Sequence, residues 1–160
     1  MQRVYGVELI SEAIWNMYSD SSDDHYDLLS LDEKEFWNMI GSEELECLVF
    51  LYLQSLGYYI FSSSLKLSTA KYEAVLIAND GSHLAYPQVK RNIALKVEDY
   101  IDCLENGNDK VYLFTTSENY GMQLHPQIVC ITQNDLKRFM DENEKLLPPT
   151  IMFWRSMING

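Results

Sequence analysis

The chain has 160 residues, 47% of them hydrophobic and 22% charged, with a formal net charge of −12 and a pI near 4.5. That balance excludes a disordered segment and supplies the apolar material for one single-core domain spanning residues 1–160. No stretch reaches the roughly 18 uncharged apolar residues that a membrane span needs, and the opening MQRVYGVELISEAIWNMYSD carries acids inside its apolar run and no small-residue cleavage site, so it does not read as a secretory signal.

Taken in chain order, Val4, Val7, Ile10, Ile14 and Tyr18 recur at helical spacing, and SDSSDDHYD at 19–27 reads as a solvated loop. LDEKEFWNMI follows as a short helix, which makes residues 1–41 an acidic helical extension. In SEELECLVFLYLQSLGYYI the residues Leu45, Leu48, Val49, Tyr52, Leu53 and Leu56 form a 3.6-residue stripe, with Ser42 as the expected N-cap and Gly57 placed to end the helix. Tyr58 to Ser63 reads as a first strand.

KYEAVLIANDGSHLAYPQVKR, residues 71–91, reads as a hairpin. Asp80-Gly81 is a two-residue turn signal in which both central residues are expected at positive φ. That turn sets a register in which Glu73 faces Gln88, their Cβ atoms roughly 5 Å apart. Lys90 shares their face because side chains two apart on a strand do. A helix is expected over Ile93 to Leu104, strands at 110–117 and 127–132, and a helix NDLKRFMDENEKL capped by Asn134. LPP at 147–149 stops that helix, and IMFWRSMI is an apolar tail within 141–160 that packs as a strand or a last helix. The order from residue 42 is α-β-β-β-α-β-β-α, an α/β sandwich with a mixed central sheet flanked by helices.

Charge is unevenly placed. Residues 1–46 hold 12 acids against Arg3 and Lys34, whereas residues 61–97 hold five bases, Lys66, Lys71, Lys90, Arg91 and Lys96, against Glu73 and Asp80. Two electrostatic faces suited to different partners are expected. The cysteines at 47, 103 and 130 are odd in number, widely spaced and without CxxC, which fits reduced thiols and a cytoplasmic setting. His25, His83 and His125 lack ligand spacing and read as structural or surface residues.

A helix bearing a glutamate and ending in LGY, then a strand, then an acid-bearing hairpin closing in QVK together resemble the PD-(D/E)xK nuclease superfamily, and within it the Mrr-like restriction endonucleases. The likeness covers roughly residues 42–140. It implies a restriction-endonuclease-like core and a metal-dependent phosphodiesterase acting on nucleic acid. Glu73 would be the main ligand of Mg²⁺ or Mn²⁺, Gln88 and the Val89 carbonyl would complete the metal site, Lys90 would act on water or phosphate, and Glu46 would support the metal. The chemistry is coherent, since hydrolysis of a phosphodiester needs charge neutralised at phosphorus and a water activated. Two departures stand out: Glu73 replaces the usual aspartate, one methylene longer, and Lys71-Tyr72 replaces the glycine-isoleucine that commonly precedes it.

Blander readings stand beside these. Glu73, Gln88 and Lys90 also suit a cross-strand charge pair, and Glu46 beside Glu43 and Glu44 suits a solvated first helical turn. The net charge suits a second class of function, a non-catalytic immunity or inhibitor protein that binds a basic protein toxin by charge complementarity.

Overall fold

The computed structural model describes residues 32–66, 71–104 and 106–158, so the helix expected over residues 4–18 and the loop at 19–27 lie outside the described residues. In chain order the elements are α1 (Glu33–Met39), α2 (Ser42–Ser55), β1 (Tyr58–Ile60), a 3₁₀ segment (Ser62–Lys66), β2 (Leu76–Ala78), β3 (Leu84–Lys90), a second 3₁₀ segment (Val97–Cys103), β4 (Lys110–Thr115), β5 (Ile128–Cys130), α3 (Gln133–Glu142), a third 3₁₀ turn (Glu144–Leu146) and α4 (Pro149–Ser156). The described residues fall into two compact units, one of them Leu45–Asn143 and the other made of the segments on either side of it.

In the smaller unit, α1 starts at a capping box in which the Asp32 carboxylate accepts the Glu35 N–H at 2.7 Å and the Glu35 carboxylate accepts the Asp32 N–H at 3.3 Å. The apolar tail settles as a helix, α4, opened by Pro149, whose missing N–H costs nothing at a first helical position. Phe36 and Trp37 of α1 and Ile151 and Trp154 of α4 are buried, and the two helices lie against each other. Arg155 pairs with Glu144 at 3.6 Å.

The larger unit is an α/β fold around a five-stranded mixed sheet in the order β1-β2-β3-β4-β5. β1, β2 and β3 are antiparallel neighbours, while β4 runs parallel to β3 and β5 parallel to β4. Side-chain alternation divides the sheet into two faces. One carries Tyr58, Leu76, Ala78, Ala85, Val89, Tyr112 and Phe114; the other carries Ile77, Leu84, Tyr86, Gln88, Lys90, Val111, Leu113 and Ile128. Tyr52 of α2 lies by Tyr112, and its ring meets Phe139 of α3 edge-on at 5.9 Å, so these helices serve the first face. The second face is covered by Leu95 and the 3₁₀ segment Val97–Cys103 that follows it, with Leu95, Val97 and Tyr100 packed on Val111, Leu113 and Ile128.

The hairpin keeps the expected register with a different turn. Leu76 faces Ala85 and Ile77 faces Leu84, so paired positions still sum as the sequence implied. Only Gly81 of the central pair has positive φ, at 74°. The Gly81 N–H donates to the Ala78 carbonyl and the Ala78 N–H to the His83 carbonyl, which closes a loop one residue longer on each side than expected. A symmetric lengthening leaves the register unchanged. Asp80 stabilises the loop by accepting the Ser82 N–H at 2.9 Å, and the Ser82 hydroxyl first, then this N–H, hold its carboxyl below the usual carboxylate range.

Other elements depart from expectation for local reasons. β1 stops at Ile60, where Ser62–Lys66 turns into a 3₁₀ segment closed by the Ser64 hydroxyl on the Phe61 carbonyl at 2.6 Å. The helix expected over Ile93 to Leu104 is a 3₁₀ segment over Val97–Cys103 only. Ser42 is the first helical residue of α2 rather than its cap. The cap of α3 is Thr132, not Asn134, in a second capping box with Asp135.

Candidate functional site

Pro87 decides where regular pairing ends. A proline in β3 has no N–H to give to β2, so the ladder cannot continue through the pair it would form with Ala74. The chain instead slips by one position, and the Glu73 N–H donates to the Pro87 carbonyl at 2.8 Å. Regular β2 is therefore only Leu76–Ala78. Glu73 sits on the irregular lead-in, held on both sides: the Tyr72 ring lies on Tyr86 with centroids 5.0 Å apart, and Ala74 is buried. The Lys71 ammonium ties the same lead-in to the 3₁₀ segment by donating to the Asp99 carbonyl at 3.2 Å.

Three of the residues expected at the site come together on the second face. The Lys90 ammonium stands 3.7 Å from the Glu73 carboxylate, both side chains partly exposed at 40% and 25%. Gln88, two residues before Lys90 and on the same face of β3, is 2% exposed, and among the described residues its Oε1 has no hydrogen-bond partner. Leaving such an acceptor buried and unpaired costs about 1–3 kcal/mol, so the amide oxygen is the atom of this site that most needs a ligand. The Val89 carbonyl points to the Glu73 side: the Lys90 carbonyl accepts from Thr116 on the β4 side and the Pro87 carbonyl from Glu73, and carbonyl direction alternates along a strand.

Glu46 is half-buried on α2, next to Leu45 of the stripe made with Val49 and Leu53.

Tyr100 was not among the residues singled out in the sequence. Its ring is buried in the 3₁₀ segment, and its hydroxyl lies by the Gln88 side chain. Burial pushes that hydroxyl above the ordinary tyrosine range, the Gln88 side chain pulls it back, and the Glu73 carboxylate is close enough to push it up further. VEDYIDC gives no signal for this beyond an apolar position in a presumed helix.

Donor chemistry can be tested against the implied cation. Among the described residues no three His, Cys, Asp or Glu side chains gather, so an ion here would be held by one carboxylate with neutral oxygens. Mg²⁺ keeps several waters and accepts such sparse protein ligation. The Glu73 carboxylate, the unpartnered Gln88 Oε1 and the Val89 carbonyl fit that demand.

A separate polar chain occupies the hairpin tip. The His83 Nε2 lies 2.7 Å from the Tyr58 hydroxyl, which lies 2.9 Å from the Tyr112 hydroxyl, while the His83 Nδ1 is 2.8 Å from the Ser82 hydroxyl. His83 thus has a structural place, as its isolated spacing suggested. The Cys103 and Cys130 thiols are pushed up by burial, which keeps them protonated and weakly nucleophilic.

No protein-family model matches the chain, and no curated protein or solved structure matches it. Among the described residues no helix is long and apolar enough to cross a membrane.

Proposed function

We propose that the chain is a metal-dependent phosphodiesterase of the PD-(D/E)xK nuclease type, with a restriction-endonuclease-like core and a nucleic acid as its substrate. The observation that carries this reading is the meeting of Glu73, Gln88 and Lys90 on one face, with a buried amide oxygen lacking a partner beside a carboxylate and an ammonium. The order of a helix, three antiparallel strands and a parallel fourth agrees with it.

A bound Mg²⁺ or Mn²⁺ would neutralise charge at phosphorus and acidify a water. Glu73, Gln88 and the Val89 carbonyl would hold it. Lys90, half in solvent, would pair with the phosphate or with the charge that develops as water attacks. Its present partner is Glu73, so substrate and cation would take over the two halves of an existing ion pair. Glu46 would act on the waters of the cation, as the resemblance implies, and its position on α2 makes Glu46→Gln the discriminating substitution for that role.

The test is cleavage of plasmid DNA and of RNA by the purified chain with Mg²⁺ or Mn²⁺, alongside Lys90→Ala. Metal-dependent cleavage that falls at least about a hundredfold in the variant, the scale of removing one transition-state donor, supports an enzyme. The net charge of −12 favours a second reading, a non-catalytic immunity or inhibitor protein for a basic protein toxin. Cleavage absent with every metal, together with salt-sensitive binding of a cationic protein, would establish that reading and sink the first.

A further inference from the structure

β1 is an edge strand, with β2 on one side and, among the described residues, no strand on the other. Pairing with β2 uses its odd positions: the Gly57 carbonyl accepts the Asn79 N–H at 2.8 Å and the Phe61 N–H donates to the Val75 carbonyl at 3.0 Å, with Tyr59 opposite Ile77 between them. Peptide groups alternate in direction along a strand, so the N–H and C=O of Tyr58 and of Ile60 point away from the sheet. An open edge of this kind is ordinarily blunted by charge or proline. Neither is present: no acid, base or proline stands from Ser55 to Leu65, in a chain whose net charge is −12. The edge is apolar instead, with Tyr59 66% exposed, Leu56 and Leu65 50% each and Phe61 43%.

Two features of this edge match it to a second copy of the chain. The first is register. Set antiparallel about a two-fold axis at Tyr59, two copies of β1 place Tyr58 of each opposite Ile60 of the other, and every outward N–H and C=O of both strands finds a partner. The same register sets Tyr59 against its own counterpart at a pair where side chains stand closest, and Phe61 opposite Gly57, which has no side chain. Such a contact is isologous, so it closes at two copies. The second feature is charge. A basic partner would be drawn to the acids of the chain, and this edge has none, whereas a copy of the same acidic chain meets least repulsion where both surfaces are neutral. A foreign extended peptide could make the same bonds only by giving up its conformational freedom, while β1 of a second copy is already ordered.

We propose that β1 is a homodimer interface, at which two copies of the chain join their five-stranded sheets edge to edge about a two-fold axis at Tyr59. The inference is independent of the metal-centre reading, since Tyr59 and Phe61 are no part of that site. With three strand residues and four exposed apolar side chains from each copy, the contact belongs with interfaces below about 1,200 Å², which go with weak association. Half-dimerisation is expected at roughly 10–100 µM chain.

Sedimentation equilibrium of the full chain from about 1 µM to about 500 µM, in roughly 0.15 M salt to screen repulsion between acidic copies, reads mass against concentration. The wild type is expected to pass from monomer to dimer, and its Tyr58 and Ile60 amides, followed by ¹⁵N NMR, to exchange more slowly as the dimer forms. Three variants test the register, with circular dichroism to confirm folding. Tyr59→Lys and Tyr59→Glu each set like charges face to face and are expected to weaken association at least about tenfold. An equimolar mixture of the two, in which ammonium meets carboxylate, is expected to regain it. Ile60→Pro removes an N–H that faces outward, where an edge strand tolerates proline, and is expected to stay folded and monomeric. A wild type that is monomeric throughout would overturn the interface, as would a dimer that survives Ile60→Pro or that neither charge at position 59 weakens. A mixture that stays monomeric would overturn the pairing about Tyr59.

Discussion

A buried glutamine with an empty acceptor is a cost the fold carries, and the cost predicts how stability and site should separate. Replacing both members of a buried hydrogen-bonded pair by apolar groups of similar shape is nearly neutral or stabilising, whereas removing one member strands the other at about 1–3 kcal/mol. Gln88 lies by the Tyr100 hydroxyl and leaves Oε1 unpaired, so the pair gives the fold less than a fully satisfied one would. The double variant Gln88→Leu, Tyr100→Phe is therefore expected to be at least as stable as the wild type in urea unfolding, while Gln88→Leu alone, which strands the Tyr100 hydroxyl, is expected to be less stable than the double variant by about 1 kcal/mol or more. A double variant that loses more than about 2 kcal/mol would mean that the pair is a net structural asset. Lys90→Ala is expected to change stability by less than about 1 kcal/mol, because its pair with Glu73 is partly exposed and long.

At the scale of elements, glycines at positive φ make the turns that place the sheet. Gly57, at φ 97°, ends α2 and accepts the Asn79 N–H on its carbonyl at 2.8 Å, and a Cβ there would lie 3.1 Å from the Asn79 amide nitrogen. Gly81, at φ 74°, has open space where a Cβ would be. An L-residue in this region costs about 1–2 kcal/mol from backbone alone. Gly81→Ala is expected to lose about that much, and Gly57→Ala more, since Asn79 must also move; equal urea midpoints for the two would remove the Asn79 contact from the account. Thr132→Ala, which deletes the hydroxyl accepting the Asp135 N–H at 3.0 Å, is expected to cost about 1 kcal/mol. Asn134→Ala should cost less, and this pair decides between the cap seen and the cap the sequence suggested. Both capping residues fit the chemistry of an N-terminus, and a difference of two positions is settled by backbone geometry that no side-chain pattern encodes. The hairpin register was legible near the turn because apolar alternation and the Asp80-Gly81 signal agree on it, whereas the slip that sets Glu73 against the Pro87 carbonyl was not, and Lys90 meets Glu73 all the same. The turn type was not legible, since a two-residue and a four-residue loop centred on the same positions give the same register. Tyr100 stayed hidden because its role depends on which face the 3₁₀ segment covers. The face served by α2 is likewise set by packing between layers.

For the whole molecule, alkaline pH is where buried chemistry and net charge pull in the same direction and have to be separated. Tyr52, Tyr100, Tyr112 and Tyr120 are all held above the ordinary tyrosine range, in each case chiefly by burial. In the unfolded chain tyrosines lose their protons near pH 10. Past that point the unfolded state binds fewer protons than the native state, and stability falls as pH rises; below it these four groups add no pH dependence. Unfolding followed by circular dichroism is expected to set in above about pH 10 and to coincide with the late part of the tyrosinate absorbance rise. Repulsion within a chain already at −12 at pH 7 would also grow with pH. Salt tells the two apart, because about 0.1 M salt screens exposed charges beyond roughly 10 Å yet leaves the burial of a phenol untouched. If the tyrosines govern, the alkaline midpoint stays put as salt is raised, and Tyr120→Phe, which costs the bonds its hydroxyl makes to the Thr115 N–H at 3.1 Å and to the Ile131 carbonyl at every pH, makes the fall of stability above about pH 10 shallower. A midpoint that climbs with salt would assign alkaline unfolding to net charge instead, and all 11 tyrosines titrating before any loss of helix would show that none is held by the fold.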